Sequence, residues 1–431
     1  MRHQIAFSTC WADPLGSLSR QAPKPITCFV ASLETASGPG AIQGLVKLYQ
    51  QSPQGGAWTL VLAPGMPRSL VNSGRGFVSI CGLNNILIGL GADGFMYMST
   101  YSQALGWWGG FELIQPAVPP GSPAYAAASI SEFSAQVVLF NWQAVLVIAA
   151  VASSPGTIGP GGGLNFDSRF FCYTQNLSTQ TAGNWSPISV GISNARLPSL
   201  GWTDLNIAAT GNMGVSLLGA SGGQAGPGAI FGWSSSDGVR WNSAIFQNPT
   251  QPAWFTPAPV QDILLTVGAT GQPNQGIVLS SGQPRLCYDI SGSGAGWALY
   301  GGSLLPANVV NPPSFLTSAA GLGNGGNLQL VSLGHTVFPG VLPWLLWQDT
   351  GGHWHPFPYD PASGEYVNLA SNFGGSRPSP IDLAVGAGWT GNQTPTLQVA
   401  YLASDGNVYI TWQDSQGGWH WYAGISGNGL P

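Results

Sequence analysis

The stretch GADGFMYMSTYSQALGWWGGFELI, residues 91–114, decides the fold of this chain. It begins with an Asp-Gly pair, which is typical of a tight hairpin turn because Gly accepts a positive φ without strain. An alternating run follows and predicts a β-strand with one buried face. A second Gly-containing turn then leads to Trp107, fourteen residues after Asp93. The stretch therefore predicts two antiparallel strands joined by a turn.

A second stretch, ASDGNVYITWQDSQGGWHWYAGI at residues 403–425, repeats this pattern. Asp405 lies fourteen residues before Trp419, and in both stretches a Tyr follows the Asp by four residues. The shared spacing indicates two copies of one structural repeat.

A tryptophan after a short Gly-rich turn recurs along the whole sequence. The gaps between successive copies are 49, 78, 56, 56, 57 and 65 residues. The positions are Trp58, Trp107, Trp185, Trp241, Trp297, Trp354 and Trp419. A repeat of this length, rich in Gly and aromatic residues, predicts a β-propeller with one four-stranded sheet per repeat. The expected fold is therefore all-β, a seven-bladed β-propeller of four-stranded antiparallel blades.

The repeat also predicts the domain organisation. Residues 25–431 are expected to form a single propeller domain, and residues 1–24 to close the ring by completing the last sheet, which removes a free edge. Apolar runs such as ILIGL (86–90) and DILLTV (262–267) are predicted as inner strands that precede the third and fourth strands of each blade. The apolar stretch 137–151 is too short for a membrane span and predicts two adjacent strands.

Charge is scarce in this sequence. Eleven basic and sixteen acidic residues make up 6% of the chain, against about 25% in an ordinary globular protein. Without a basic patch, nucleic-acid binding is not expected. A neutral surface has little like-charge repulsion, which favours self-association into a homo-oligomer or ordered assembly.

The cysteines and the first residues of the sequence bear on its compartment. The five cysteines show no metal-binding spacing and are expected to be buried and inert, with a Cys10–Cys28 disulfide left open. No long apolar segment typical of a signal peptide occurs at the N-terminus. An extracellular or cell-surface location is expected from the neutral composition, with a cytoplasmic one left open.

The repeated pattern resembles that of bacterial and fungal propeller lectins, in particular the seven-bladed Photorhabdus-lectin type and the tectonin-like repeats. The resemblance is sharpest at residues 93–108, 347–355 and 405–421. It implies a ring that binds fucose or other monosaccharides in shallow pockets and gains avidity from many sites. No Arg or Glu recurs with the repeat, so contacts with sugar are expected from Asn, Gln, Asp and Trp.

The repeated tryptophans are expected to pack between blades, because large aromatic side chains dominate core burial. Aromatic residues outside the repeat, with their polar neighbours, are the better ligand candidates. Stacking combined with a few fixed hydrogen-bonding groups is typical of a small-ligand site. The predicted ligand-binding residues are Trp108, Trp347, Gln348, Asp349, Trp412, Gln413, Asp414 and Trp421.

Neither a cofactor nor a metal is predicted. The HWH sequence at 353–355, with His420, invites a zinc interpretation, but ordinary polar residues at a strand edge explain these histidines better. SSDGVRW at 235–241 resembles a shortened Asp box, which stabilises a turn and has no catalytic role. Neither GxSxG nor HExxH is present, so an enzyme is not expected.

The sequence is compatible with three functions. The favoured one is a multivalent glycan-binding propeller that uses Trp stacking and hydrogen bonds from amides and Asp. The alternative is a structural protein that assembles through its neutral surface into an extracellular fibre, lattice or coat. A propeller hydrolase or lyase is the third.

Overall fold

A computed structural model describes most of the chain. The described residues are 3–11, 25–34, 41–51, 58–114, 129–153, 157–158, 164–165, 168–179, 183–188, 202–210, 214–221, 228–247, 250–251, 253–256, 260–266, 274–281, 283–291, 293–303, 315–318, 330–334, 344–348, 354–357, 359–360, 365–366, 380–390, 394–403, 405–413 and 419–422.

Short antiparallel sheets follow one another along the first half of the sequence. The first sheet contains β1 (Ile5–Trp11), β2 (Pro25–Leu33), β3 (Val46–Gln51) and β4 (Trp58–Val61). After helix α1 (Arg68–Asn72), the second sheet contains β5 (Phe77–Leu83), β6 (Ile86–Gly91), β7 (Met96–Ser102) and β8 (Trp107–Trp108), with β9 (Glu112–Leu113) beside β7. The next segment forms β10 (Ser129–Phe140), β11 (Gln143–Ser153), the small hairpin β12 (Thr157–Ile158) and β13 (Leu164–Asn165), β14 (Ser168–Asn176) and β15 (Asn184–Pro187). The third sheet has the order β10-β11-β14-β15.

The middle of the chain continues this plan with additions. The next strands are β16 (Trp202–Thr210), β17 (Gly214–Ser221), β18 (Gly228–Ser235), β19 (Asn242–Ser243), β20 (Ile245–Gln247), β21 (Thr250–Gln251) and β22 (Ala253–Thr256). The fourth sheet has the order β16-β17-β18-β19, with β22 beside β18. The fifth sheet joins β21 and β20 to β26 (Gly296–Ser303), β25 (Gln283–Asp289), β24 (Gln275–Ser280) and β23 (Val260–Thr266).

The last third of the chain contains two further four-stranded sheets. The sixth sheet contains β27 (Phe315–Ser318), β28 (Leu330–Gly334), β29 (Trp344–Gln348) and β30 (Trp354–Phe357). A small hairpin of β31 (Tyr359–Asp360) and β32 (Glu365–Tyr366) follows. The last sheet contains β33 (Pro380–Thr390), β34 (Thr394–Ala403), β35 (Val408–Gln413) and β36 (Trp419–Tyr422). The prediction of an all-β fold built from four-stranded antiparallel sheets is confirmed.

The chain divides into two compact units. Residues 115–312 form one unit, which contains the third, fourth and fifth sheets. Residues 2–114 and 313–431 form the other unit, which contains the sixth, last, first and second sheets.

In the second of these units the first sheet is buried on both faces. Phe29 and Leu48 pack with core residues of the second sheet, whereas Val30 and Tyr49 pack with those of the last sheet. Consecutive residues of a strand point to opposite faces, which is why neighbours such as Phe29 and Val30 join different clusters. This face-to-face stacking of successive sheets is the packing expected of propeller blades.

Sheets in the unit formed by residues 115–312 stack in the same way. Leu218 and Ile230 of the fourth sheet form one cluster with Val278 and Trp297 of the fifth. The indole ring and the aliphatic side chains of this cluster are removed from water. Burial of their apolar surface stabilises the fold by roughly 25 cal/mol per Å².

Buried carboxylates join the first strands of neighbouring sheets. Asp204 on β16 accepts a hydrogen bond of 2.7 Å from the backbone N–H of Ile263 on β23. In the other unit, Asp382 on β33 accepts from the backbone N–H groups of Gln4 and Ile5, the latter at 3.2 Å. Each Asp directly follows an irregularity in the pairing of its strand. The bulge therefore turns the Asp side chain toward the next sheet. The repeated sequence pattern does not predict this bridging role of the Asp residues.

The N-terminal segment differs from its prediction. Residues 5–11 form the first strand of the first sheet, paired with β2, so for these residues the prediction that the segment 1–24 completes the last sheet is wrong; residues 12–24 lie outside the described residues. The last sheet has four strands of its own, β33 to β36. The first and last sheets instead pack face to face, with Phe7 and Ala400 in one core cluster.

The apolar stretch 137–151 forms parts of β10 and β11, as predicted. Among the helices that the structure describes, none has the length and apolar character needed to cross a bilayer.

Candidate functional site

Both Asp-Gly pairs form the predicted hairpins between a second and a third strand. In the second sheet, the Asp93 carboxylate accepts hydrogen bonds from the backbone N–H of Phe95 at 3.1 Å and from the Tyr97 hydroxyl at 2.7 Å. Gly94 takes the positive φ of 80° that the turn requires. Burial raises the pKa of Tyr97 to about 12, so its hydroxyl stays protonated and keeps donating.

The copy in the last sheet has the same geometry. Asp405 accepts from the backbone N–H of Asn407 at 2.9 Å and from the Tyr409 hydroxyl at 2.8 Å. Gly406 has a φ of 78°. These two carboxylates hold turns and are thereby committed to hydrogen bonds within their own hairpins.

The turn SSDGVRW at 235–241 is also held by its Asp. One carboxylate oxygen of Asp237 accepts from the backbone N–H groups of Val239 at 2.8 Å and Arg240 at 2.7 Å, and from the Ser235 hydroxyl at 3.1 Å. Desolvation favours the protonated acid, but these hydrogen bonds outweigh it and lower the pKa of Asp237. The interpretation of this motif as a turn-stabilising element is confirmed.

Two of the repeated tryptophans are each fixed by the same kind of hydrogen bond, from the indole N–H to a backbone carbonyl of the preceding turn. The indole N–H of Trp241 donates to the carbonyl of Gly238 at 3.3 Å, and that of Trp297 to the carbonyl of Gly294 at 3.2 Å. Both glycines have a positive φ. The turn and the buried ring therefore form one unit, which satisfies a polar atom that burial would otherwise leave without a partner.

The repeated tryptophans lie at the start of the fourth strands, and those whose side chains are described mostly pack in the core. Trp58, Trp241 and Trp297 are buried, and Trp58 meets Phe7 edge to face at 5.8 Å. Trp185 is half-buried against Tyr173.

The second sheet is the exception, because Trp107 is 59% exposed and Trp108 is buried. Trp108 pairs with Tyr101 on β7, and its ring packs on Phe29 of the first sheet at 5.2 Å. Tyr101 lies as far after Asp93 as Gln413 lies after Asp405 in the last sheet, so the two residues are equivalent. Gln413 pairs with Trp419. The turn of the second sheet is thus one residue longer, so Trp108 takes the core position. Trp108, predicted to bind ligand, is a core residue, and Trp107 is the accessible indole.

The other predicted ligand residues lie on two strands and the turns after them. Gln348 pairs with Trp354, and Gln413 with Trp419. Trp347 and Trp412 precede these glutamines, and Trp421 lies on β36 opposite Thr411. Asp349 and Asp414 lie outside the described residues.

The two glutamines share their register position with Gln51, which pairs with Trp58 in the first sheet. The Gln51 side chain is buried and accepts a hydrogen bond of 3.2 Å from Gln398 of the last sheet. At Gln51 this position serves contact between sheets.

Trp347 and Trp412 share a different register position, the one opposite the first residue after the strand-four Trp. Described residues at this position include Gln50, Tyr288 and, with Trp108 as the core Trp of the second sheet, Thr100; they are half-exposed or exposed. In the third and fourth sheets the position is buried, at Cys172 and Ser234. The backbone thus puts two tryptophans at a position that is accessible in several other sheets.

A strongly exposed aromatic residue, Trp142, lies outside the set predicted from the sequence. Trp142 lies at the tip of the β10–β11 hairpin and is 77% exposed. The signal was present, because Asn141 and Trp142 separate the two apolar runs of the stretch 137–151.

Metal and thiol chemistry find little support in the described part of the chain. No group of three or more His, Cys, Asp and Glu side chains is close enough there to hold a metal ion. His355 and His420 lie on separate strands, β30 and β36, and His353 lies outside the described residues.

All five cysteines are free, and four of them are buried. Cys10 and Cys28 belong to core clusters on opposite faces of the first sheet, so the disulfide left open between them does not form. Burial raises the pKa of the Cys287 thiol to about 12, which keeps it protonated and unreactive.

No family model matches the sequence, and no curated protein matches it. Solved structures give weak likenesses over nearly the whole chain. A fucose-specific lectin from Aleuria aurantia is 11% identical, with a TM-score of 0.44, over 99% of this chain and 97% of the lectin. AofleA from Arthrobotrys oligospora is 12% identical, with a TM-score of 0.40, over 100% of this chain and 88% of its own. A protein of unknown function from Dyadobacter fermentans is 10% identical, with a TM-score of 0.42, over 97% of this chain and 92% of the Dyadobacter protein. Likenesses of this size do not decide what this chain binds.

Proposed function

We propose that this protein is a multivalent carbohydrate-binding propeller, lectin-like in function and not an enzyme, whose sheets form the seven blades of one ring. The observation that supports this best is the exposed indole of Trp107 at the start of a fourth strand. A flat aromatic face on a rigid strand can stack on the C–H face of a pyranose, and the surrounding neutral surface suits an uncharged polyol.

Further sites of the same kind are proposed on the sixth and last sheets. Trp347 and Trp412 occupy a register position that is accessible at Gln50 and Thr100. The amides and acids beside them would supply hydrogen bonds to sugar hydroxyls, and Trp421 a second ring. The proposed residues are Trp347, Gln348, Asp349, Trp412, Gln413, Asp414 and Trp421, with Trp107 in place of Trp108.

The hydrogen bonding of the acidic residues supports binding over catalysis. A glycosidase needs two carboxylates that can exchange protons with substrate. Asp93, Asp237 and Asp405 instead accept hydrogen bonds from their own turns. Asp289 does the same, accepting from the N–H of Gly294 at 2.6 Å.

The test is a glycan array with the purified protein, followed by titration of the bound sugars. Trp107→Ala and Trp412→Ala should each weaken binding to an immobilised glycan at least tenfold, because avidity depends on the number of working sites. Leu105→Ala is the matched control, since Leu105 is 69% exposed on the turn before Trp107 but has no ring to stack. Absence of binding to every glycan would refute the proposal.

Self-assembly is the second candidate, and exposed aliphatic residues favour it. Leu60 and Leu62, at and just beyond the end of β4, are 65% and 86% exposed. With few charges to oppose contact, such residues can join copies into an extracellular fibre, lattice or coat. Light scattering over a range of concentration should then show particles that the double variant Leu60→Ser, Leu62→Ser dissolves. A monodisperse monomer at all concentrations would exclude this function.

A further inference from the structure

The tip of the β10–β11 hairpin has an unusual residue in its turn. Phe140 pairs with Gln143, so the loop consists of Asn141 and Trp142 alone. Their φ angles are 49° and 65°. Positive φ at both positions is the type I′ geometry, which favours Asn followed by Gly. Trp142 therefore stands where Gly is preferred, and a bulky side chain in this region of φ is an outlier.

Packing inside the protein does not explain this choice. The Trp142 side chain is 77% exposed, and no described aromatic ring contacts it. Backbone strain that no internal contact offsets is a feature of functional sites. The turn therefore exposes the large apolar surface of the Trp142 indole to solvent.

Amide groups surround the base of this turn. The Asn176 side-chain N–H donates to the Gln143 side-chain oxygen at 2.6 Å, and its own oxygen accepts from the backbone N–H of Ser178 at 2.9 Å. Both amides are thereby held in fixed orientations. The Nε2 group of Gln143 donates to none of the described residues. Gln143 directly follows Trp142 in the chain, and a hydrogen-bond donor on the residue next to an exposed aromatic side chain can serve to recognise a hydroxyl group on a stacked ring.

The fourth sheet borders the hairpin on one side. A Cβ built on Gly238 would lie 2.5 Å from Thr174 Cγ2 and 3.2 Å from Phe140 Cε2, so the turn at 235–241 lies directly against the third sheet. Asp237 and Arg240 of that turn are exposed. Their opposite charges offset each other, which favours an uncharged ligand over an acidic one.

We propose that Trp142 is the stacking platform of a binding site for a neutral hexopyranose. Asn141, Gln143 and Asn176 supply hydrogen bonds to its hydroxyls, and the 235–241 turn borders the site. This inference rests on the proposed carbohydrate-binding function and adds a site that lies outside the Trp repeat.

The experiment uses the full chain labelled with 5-fluorotryptophan. The ¹⁹F resonance that disappears in Trp142→Gly is that of Trp142. Titration with the neutral monosaccharides that score on the glycan array should shift this resonance saturably. In Trp142→Gly the calorimetric stoichiometry should fall by one site. The melting temperature of this variant should stay equal or rise, because Gly suits both the turn and its φ.

The outcomes distinguish failure of the Trp142 site from failure of the proposed carbohydrate-binding function. If other tryptophan resonances move and that of Trp142 does not, the Trp142 site is refuted while carbohydrate binding stands. If no sugar moves any resonance, the Trp142 site is refuted, and carbohydrate binding fails as well only if no glycan on the array is bound. A melting temperature several degrees lower in Trp142→Gly would show that the indole has a structural role and would also refute the site. So would a Trp142 resonance that responds to phosphatidylcholine vesicles and not to sugar.

Discussion

The turn before Trp297 and the turn before Trp107 share one plan and reach opposite results. Both lead from a third to a fourth strand, and both contain a glycine with positive φ, Gly294 at 77° and Gly106 at 70°. Yet Trp297 is fully buried and Trp107 is 59% exposed. The spacing of a repeat locates the turn, whereas the strand register decides whether its Trp is a core residue or a surface residue.

The two turns also differ in how they are held. Asp289 accepts hydrogen bonds from the N–H groups of Ser291 and Gly294, and the Trp297 indole N–H closes the turn from the other side. In the turn before Trp107, the Ser102 hydroxyl accepts a bond of 3.3 Å from the N–H of Leu105. The buried ring of Trp297 comes with a turn held by a buried carboxylate, and the exposed ring of Trp107 with a turn in which a Ser hydroxyl takes that place.

The largest difference is expected on removing the two rings. Trp297→Ala should cost about 4 kcal/mol of unfolding free energy, because it empties a large volume in the cluster of the fourth and fifth sheets. Trp107→Ala should cost less than about 0.5 kcal/mol, as is usual for surface substitutions. Denaturant unfolding of both variants measures this contrast.

Cys287 offers a second readout, since its buried thiol belongs to the same cluster as Trp297. It should resist thiol reagents at neutral pH in the native protein and become labelled in Trp297→Ala. Equal stability losses in the two Trp variants would contradict the assignment of one ring to the core.

A smaller difference is expected at the two glycines. A Cβ on Gly294 would lie 2.7 Å from the Cβ of Ser216, and nothing lies within 4 Å of a Cβ on Gly106. Gly106→Ala should cost only the left-handed backbone penalty of about 1–2 kcal/mol. Gly294→Ala adds overpacking and should cost about 3 kcal/mol. Urea unfolding of the pair measures this, and similar losses would show that the turn before Trp297 is loosely packed.

The smallest effect concerns pH and the turn before Trp241, which is buried like Trp297. The pKa of Asp237 is lowered from 3.8 in the folded protein. Its carboxylate therefore contributes stability above the unfolded pKa, and this is lost as pH falls through the lower folded value. Asp237→Asn should be slightly less stable than the wild type at neutral pH, and the gap should close below pH about 3.8. Melting curves between pH 2 and 7 measure the gap; a gap independent of pH would show that ionisation of Asp237 is irrelevant.

Local chemistry made much of the fold predictable. The Asp-Gly pairs at 93 and 405 require hairpins whatever their surroundings, and both form. The order of strands within a sheet was less accessible. DILLTV at 262–267 overlaps β23, a first strand, whereas ILIGL at 86–90, also predicted as an inner strand, lies in β6, a second strand. Both strands of such a pair are buried on two faces, so their sequences are equally apolar.

The candidate site was less predictable than the fold. Trp108 was chosen as a ligand residue because it stands outside the counted repeat, but a turn longer by one residue moves it into the core. A shift of one residue reverses the face of every side chain on a strand. Trp142 was overlooked because exposure at a hairpin tip depends on the two strands that pair beneath it.

The sequence by itself determined the positions of the turns, the all-β class and the low charge of the surface. Gly, Asp and alternating apolar residues determine these features through φ preferences and burial within a few residues of themselves. Only the tertiary structure decided which tryptophans are buried, where β1 pairs, and how Asp204 and Asp382 bridge neighbouring sheets. These features depend on register and on contacts between distant parts of the chain, where one residue more or less in a turn changes the result.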